Sequence, residues 1–176
     1  MRWFDRQFSF GLPASMLPFY IERLEGTIVR LIDKTQHVTE EILSEQWDGK
    51  WSIKQNIGHL SEVDDISGKR IAELIQGVPT LSSAVFEPFA NYNAMPMREV
   101  LKRFEDKRRM SIGRFRNLVT DELQRASLHP RLRVMMTAVD LAWFDAEHDD
   151  HHLVTINEIL VRRGVSQIMD KSKVPS

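Results

Sequence analysis

Apolar positions recur at helical spacing in four long stretches of the chain, and no stretch alternates convincingly as a strand would. The first runs from Pro13 to Gln36 and sets Leu17, Ile21, Leu24, Ile28, Leu31 and Ile32 on one face. Pro13 suits a first helical turn, with Pro18 marking an alternative, later start. The second opens at Ser52, which with Gln55 three residues on forms a capping box, Trp51 acting as a hydrophobic staple against Asn56–Ile57. Its apolar face carries Ile53, Ile57, Leu60, Ile71, Leu74 and Ile75, and it stops at Gly77 with Pro79 beyond. The third, Met97 to Val119, turns Val100, Leu101, Phe104, Met110, Ile112, Phe115 and Leu118 inward. The fourth follows a connection over residues 120–133 and runs to about Arg163, where Gly164 ends it.

Between these stretches the chain punctuates itself. Residues 37–50 are polar, hold Asp48–Gly49, and read as a connection with one short turn of helix. Residues 80–96 contain Pro88 and Pro96 and show no period. A loop of that length in a compact domain often covers something, and Phe86, Phe89 and Tyr92 are its candidates for walling a pocket. Residues 1–12 read as a lead-in that packs on the domain, residues 13–164 as the domain, and residues 165–176 as a loosely docked tail. Four amphipathic helices joined by a long second crossover imply an all-α four-helix bundle.

Composition narrows the chemistry. A chain of 176 residues can bury a real core as one domain. The formal net charge of −1 favours neither nucleic acid nor an anionic membrane as a partner. The third helix is basic, but its charges run around several faces among Glu99, Glu105 and Asp106, as on a solvated surface laced with ion pairs. The absence of cysteine excludes a disulfide framework, a thiolate metal site and a cysteine nucleophile. No apolar run has the length of a signal peptide or membrane span, so a cytoplasmic protein is expected.

Three of the six histidines fall within five residues of the fourth helix, at 148, 151 and 152. At about 100° per residue, Val134, Leu141, His148, His152 and Ile159 lie within roughly 40° of one another, with His151 some 80° from that stripe and Asp150 opposite it. Two imidazoles one turn apart on a face meant for burial need compensating partners, and a metal ion supplies one. Zinc and nickel sites hold imidazole nitrogens at about 2.0–2.1 Å, which i,i+4 spacing on one helix allows for two ligands. A third must come from His37, His59 or His129. Only His59 lies on a helix whose buried side would face the fourth, while His37 sits at a helix end and His129 precedes a proline in a loop. His151 replaces either member of the pair if the helix is rotated. A zincin motif is excluded because Asp149 stands where the longer general-base Glu belongs and no downstream ligand follows. A di-iron bundle needs Glu-x-x-His on two helices, whereas Asp145-x-x-His148 and Asp149-x-x-His152 share one.

Trp51-Ser52-Ile53, then Gly58-His59-Leu60, then Glu147-His148-Asp149-Asp150-His151-His152 about ninety residues later resemble, in order and spacing, the DinB/YfiT-like superfamily. The resemblance covers about Pro13 to Gly164. It implies a four-helix bundle of up-down-down-up type with a long crossover, a metal held by His59, His148 and His152 at one end of the core, and a homodimer. Leu128-His129-Pro130 is then a structural turn, and Glu147 points off the metal face. Members with known activity include thiol-dependent S-transferases, a mycothiol-dependent isomerase and metal-dependent hydrolases.

Three neutral imidazoles leave a zinc or nickel ion an open position, as in catalytic sites. Such an ion lowers the pKa of bound water or activates a substrate thiolate. The expected function is therefore a metal-dependent transferase or hydrolase acting on a small electrophile, with a low-molecular-weight thiol as one candidate substrate. Glu62 and Asp145 are its candidates for orienting a ligand or moving a proton. The alternatives are a metal-binding module without turnover and a structural bundle whose histidines hold nothing.

Overall fold

The computed structural model describes residues 3–85 and 90–165. In chain order its elements are α1 (Leu17–Thr35), α2 (Glu40–Ser44), α3 (Ile53–Gln76), α4 (Met97–Arg116), α5 (Thr120–Leu123), β1 (Ala126–Leu128), β2 (Met135–Thr137) and α6 (Ala138–Arg162). Side-chain pairs along the four long helices give their directions. Arg23 and Lys34 of α1 meet Glu147 and Asn157 of α6, so α1 and α6 run parallel. Asn56 and Ser67 of α3 meet His152 and Asp145, so α3 runs against α6. α3 approaches α4 in parallel, since Asp64 meets Arg108 and Gly68 lies against Arg114 further along both. The result is up-down-down-up. The parallel neighbours α3 and α4 cannot be joined by a tight turn, which is why residues 77–96 form the long crossover.

Local chemistry sets the helix ends. Ser52 Oγ accepts from Gln55 N at 3.1 Å and Gln55 Oε1 accepts from Ser52 N at 2.9 Å, closing the capping box expected at α3. Gly77 ends the helix at φ 69°, a left-handed conformation that costs glycine little. The short α2 is the single turn expected in the 37–50 connection, capped by Thr39.

The structure departs from the periodicity reading in identifiable places. α6 begins at Ala138, because residues 126–128 and 135–137 pair as an antiparallel hairpin with Ala126 opposite Thr137. Three-residue strands are too short to show alternation, and Val134 belongs to the hairpin turn, not to the helical stripe. The helix start carries its own signal: Thr137 and Asp140 form a second capping box. Met110 is 57% exposed and Ile32 44% exposed, so neither faces the core as helical spacing predicts. The inward place near Met110 is taken by Arg108, which is buried.

Two apolar clusters fill the bundle, one around Leu24, Ile71, Ile112 and Ala146, the other around Leu31, Leu60, Phe104 and Leu153. Between them every long helix contributes buried polar residues: Thr27 on α1, Asp64 and Ser67 on α3, Arg108 on α4, Asp149 and His152 on α6. A polar layer thus crosses the core. Arg108 is its hub, donating from Nη1 and Nη2 to the two carboxylate oxygens of Asp149 (2.5 and 2.9 Å) and from Nε to Asp64 (3.0 Å). Thr27 Oγ1 adds a 2.7 Å bond to Asp149. Burial by itself would lower the Arg108 pKa, but Asp149 and Asp64 outweigh it and hold the guanidinium charged. No helix among the described residues is long and apolar enough to cross a membrane.

Candidate metal centre

On α3, Ser52 fixes the first turn and so sets the rotation that turns Asn56 and His59 toward α6. Gly58 allows the crossover to close in on this helix: a Cβ there would stand 2.3 Å from the Tyr92 ring. On α6, the i,i+4 pair His148 and His152 faces back. One ligand nitrogen from each of His59, His148 and His152 can be chosen so that all three lie within 4.8 Å of one another. The structure therefore brings together the three histidines singled out by spacing. It leaves His37 exposed at the far side of α1, and holds His151 against Trp3 with ring centroids 5.6 Å apart, outside the cluster.

The nitrogens are oriented for a shared cation. His152 Nδ1 lies 2.8 Å from Asn56 Oδ1, and Asn56 Nδ2 donates to Ser52 O at 2.8 Å. The Asn56 amide is thereby fixed with its oxygen toward the imidazole, so Nδ1 of His152 carries the proton and Nε2 keeps its lone pair. His148 Nε2 stands 3.3 Å from that lone pair. Two nitrogens each about 2.05 Å from one ion at a tetrahedral angle are about 3.3 Å apart, so this spacing fits a shared divalent metal. The buried Nδ1 of His148 has no hydrogen-bond partner among the described residues. Glu62 Oε2 lies 3.7 Å from His59 Nδ1, and Glu62 Oε1 accepts from Tyr92 Oη at 2.9 Å.

Burial keeps the rings neutral. It pushes His59 down to about 4, and it carries His148 and His152 well below the usual histidine range, with the neighbouring imidazoles adding to the effect. Neutral imidazole is the ligating form. Trp51 lays its ring 4.8 Å from that of His59 and nearly parallel to that of His152. It shields the cluster on that side. Trp3 covers the opposite side, its ring 4.9 Å from His148 and 5.1 Å from Phe144. Arg6 ties the same lead-in to Glu147, which faces away from the cluster as its place on the helix implies.

A cavity of about 500 Å³ opens beside the three imidazoles and runs along α3 past Val63, Ile66 and Ser67 to Arg70, with residues 129–132 of the hairpin turn forming its far wall. That volume lies within the range of small-molecule sites. Asp145 lines the cavity, accepts from Ser67 Oγ at 2.6 Å, and is pushed up to about 7 by burial. Glu62 does not line it. Of the two carboxylates singled out in the sequence, Asp145 is the one that lines the cavity.

Two features escaped the sequence reading. His129 is buried in the cavity wall, Nδ1 accepting from Leu132 N at 3.1 Å, so the turn it builds also shapes the site. The loop walls the cavity with Ser83 and Ala84, which the sequence did not single out; of the three aromatic candidates, Tyr92 packs on Gly58, and Phe86 and Phe89 lie outside the described residues.

Comparison with known proteins agrees with this architecture. YfiT from Bacillus subtilis, described as a probable metal-dependent hydrolase with an unusual four-helix bundle topology, superposes with a TM-score of 0.78 at 18% identity, covering 92% of this chain and 95% of its own. A mycothiol-dependent maleylpyruvate isomerase superposes with a TM-score of 0.64 at 13% identity, over 88% of this chain and 70% of its own. At these identities the likeness establishes the fold. No curated protein sequence matches the chain. The family model of the DinB superfamily matches residues 23–156, and the chain belongs to that superfamily.

Proposed function

We propose that the protein is a metal-dependent enzyme in which His59, His148 and His152 hold one zinc or nickel ion beside a substrate cavity, and that it hydrolyses a small electrophilic substrate or transfers a thiol to it. The observation that carries this reading is the convergence of three neutral imidazole nitrogens within 4.8 Å at the wall of a cavity of about 500 Å³. A closed structural site would have no such cavity against it. YfiT, the hydrolase-like neighbour in fold, supports the same direction.

When bound, the ion would supply Lewis acidity and a water or thiolate nucleophile at neutral pH. The chain's own groups do the rest. Asn56 holds the His152 ring in one tautomer, and the Tyr92–Glu62 pair braces His59 from behind. Trp51 and Trp3 restrict water at the cluster. Asp145, half-protonated near neutrality and open to the cavity, is placed to take a proton from a nucleophile or return it to a leaving group.

The test is turnover. Metal-loaded protein is assayed on esters and amides and on thiols paired with electrophiles, with chelation and re-addition of Zn²⁺ or Ni²⁺. Activity should vanish on chelation, return with metal, and be lost in His59→Ala and His148→Ala. Asp145→Asn should lower kcat by about 10²–10⁴ while leaving metal binding intact. Folded, metal-loaded protein without turnover on either panel would instead identify a non-catalytic metal-binding module.

A further inference from the structure

The cavity has two chemically different ends. About 16 Å of helix axis separates His59 from Arg70 on α3, and between them Val63 and Ile66 give an apolar wall. The described chain buries two arginines in its interior, Arg70 and Arg108. Arg108 is enclosed by two carboxylates. Arg70, 6% exposed, is not: among the described residues no carboxylate oxygen lies within 4.0 Å of it.

Arg70 is nevertheless held rigidly. Its Nε and Nη2 donate to Ser82 O at 3.2 and 3.1 Å, while Glu73 accepts from Ser82 N at 2.8 Å. Glu73 is thereby hydrogen-bonded to the loop and acts on the guanidinium only through space. Of the five N–H donors of a guanidinium, three remain without a partner among the described residues. Across the cavity stand His129, buried and neutral, and Arg131 of the same turn. Arg70 acts electrostatically on the His129 ring, so the two face the same end of the cavity. Asp145 and Glu73 act on the Arg70 charge through space but do not outweigh its burial, and a planar carboxylate matches a guanidinium fork.

We propose that this end of the cavity is a carboxylate-binding subsite, with Arg70 as its fixed donor, and that the substrate is a small acid whose apolar body spans from Arg70 toward the three histidines. This deepens the enzymatic reading and rests on it only for the word substrate; binding of the acid requires no metal.

The experiment is calorimetric titration of metal-free, chelator-treated protein with 3-phenylpropionate, its neutral amide 3-phenylpropanamide, and the phosphonate of equal length. The acid should bind at least about tenfold more tightly than the amide, and Arg70→Gln should abolish that preference by removing the charge-assisted pair. Equal binding of acid and amide by the wild-type protein would overturn the proposal, whatever the variants do. So would an Arg70→Gln protein that melts earlier yet keeps the preference, since Arg70 would then serve only to clamp Ser82. Tighter binding of the phosphonate than of the acid would overturn the carboxylate assignment. Loss of turnover with the acid preference intact would count against the enzymatic reading alone.

Discussion

His152 Nδ1 and Asn56 Oδ1 lie 2.8 Å apart, and this single contact determines which nitrogen of His152 faces the cluster. Asn56 cannot flip, because its amide nitrogen is taken up by Ser52 O, the carbonyl at the N-cap of the same helix. The cap that starts α3 therefore also sets a ligand tautomer on α6. Asn56→Ala should weaken zinc affinity by about 10–100-fold while Asn56→Asp retains it. Chelator-competition titration reads both. Equal affinities across the three proteins would show that the contact is structural only.

The polar layer centred on Arg108 is stabilising only as a set. Arg108→Ala would leave Asp64 and Asp149 buried together without their cation, and should cost about 3–5 kcal/mol in urea unfolding. Burial already pushes Asp64 up to about 7, so part of this loss should be recovered at pH 5, where the orphaned carboxyls are protonated. A loss below about 1 kcal/mol, in the range of an exposed ion pair, would contradict the buried network.

Asp140 performs two tasks from one buried carboxylate. Oδ2 accepts from Thr137 N and Oγ1 at 3.0 Å each, and Oδ1 accepts from Gly11 N and Leu12 N at 2.8 and 2.9 Å. Asp140→Ala should cost roughly 1–3 kcal/mol of stability. It should also speed proteolysis within residues 3–12, because the lead-in loses its anchor. Unchanged protease sensitivity would show that Trp3 and its ring contacts suffice.

Acid should destabilise the metal-free protein. Burial pushes folded His59 and His129 down from 6.5 to about 4, and it holds His148 and His152 well below 6.5. Their contribution is complete above 6.5 and is lost as pH falls toward 4, since the unfolded chain then binds protons the folded one refuses. Asp64 and Asp145, raised from 3.8 to about 7 by burial, act in the opposite sense and lose stability as pH rises to 7. With His151 also lowered by burial, five histidines stand against two aspartates, so the unfolded chain binds more protons near pH 5 and stability should slope downward as pH falls. Denaturant melts at pH 7, 6 and 5 measure it. A flat profile would mean the imidazoles are not buried as described.

Much of this was legible in the letters, and for physical reasons. Ser52 and Gln55 announce a helix start, Gly77 a stop, and i,i+4 histidines on an apolar face stand out because burial of imidazole needs a partner. The charged core residues were missed because Asp64, Arg108 and Asp149 read as solvated side chains. Their spacing said otherwise. Asp64 sits seven residues from both Ile57 and Ile71, and Arg108 four from both Phe104 and Ile112, all of them buried. A charge at an apolar position of a helical repeat points to a pair inside. The cavity was not legible, because its far wall comes from a hairpin turn whose strands are three residues long.

The central claim is that one divalent ion sits among His59, His148 and His152. Zinc titration of the tag-free, metal-stripped protein tests it most directly, with stoichiometry and affinity compared across single alanine variants at histidines 37, 59, 129, 148 and 152. The account predicts one ion per chain, with affinity reduced by at least about 100-fold at 59, 148 and 152 and unaltered at 37 and 129. Retention below about a tenth of an equivalent, or a His59→Ala protein that binds as tightly as the wild type, would contradict it.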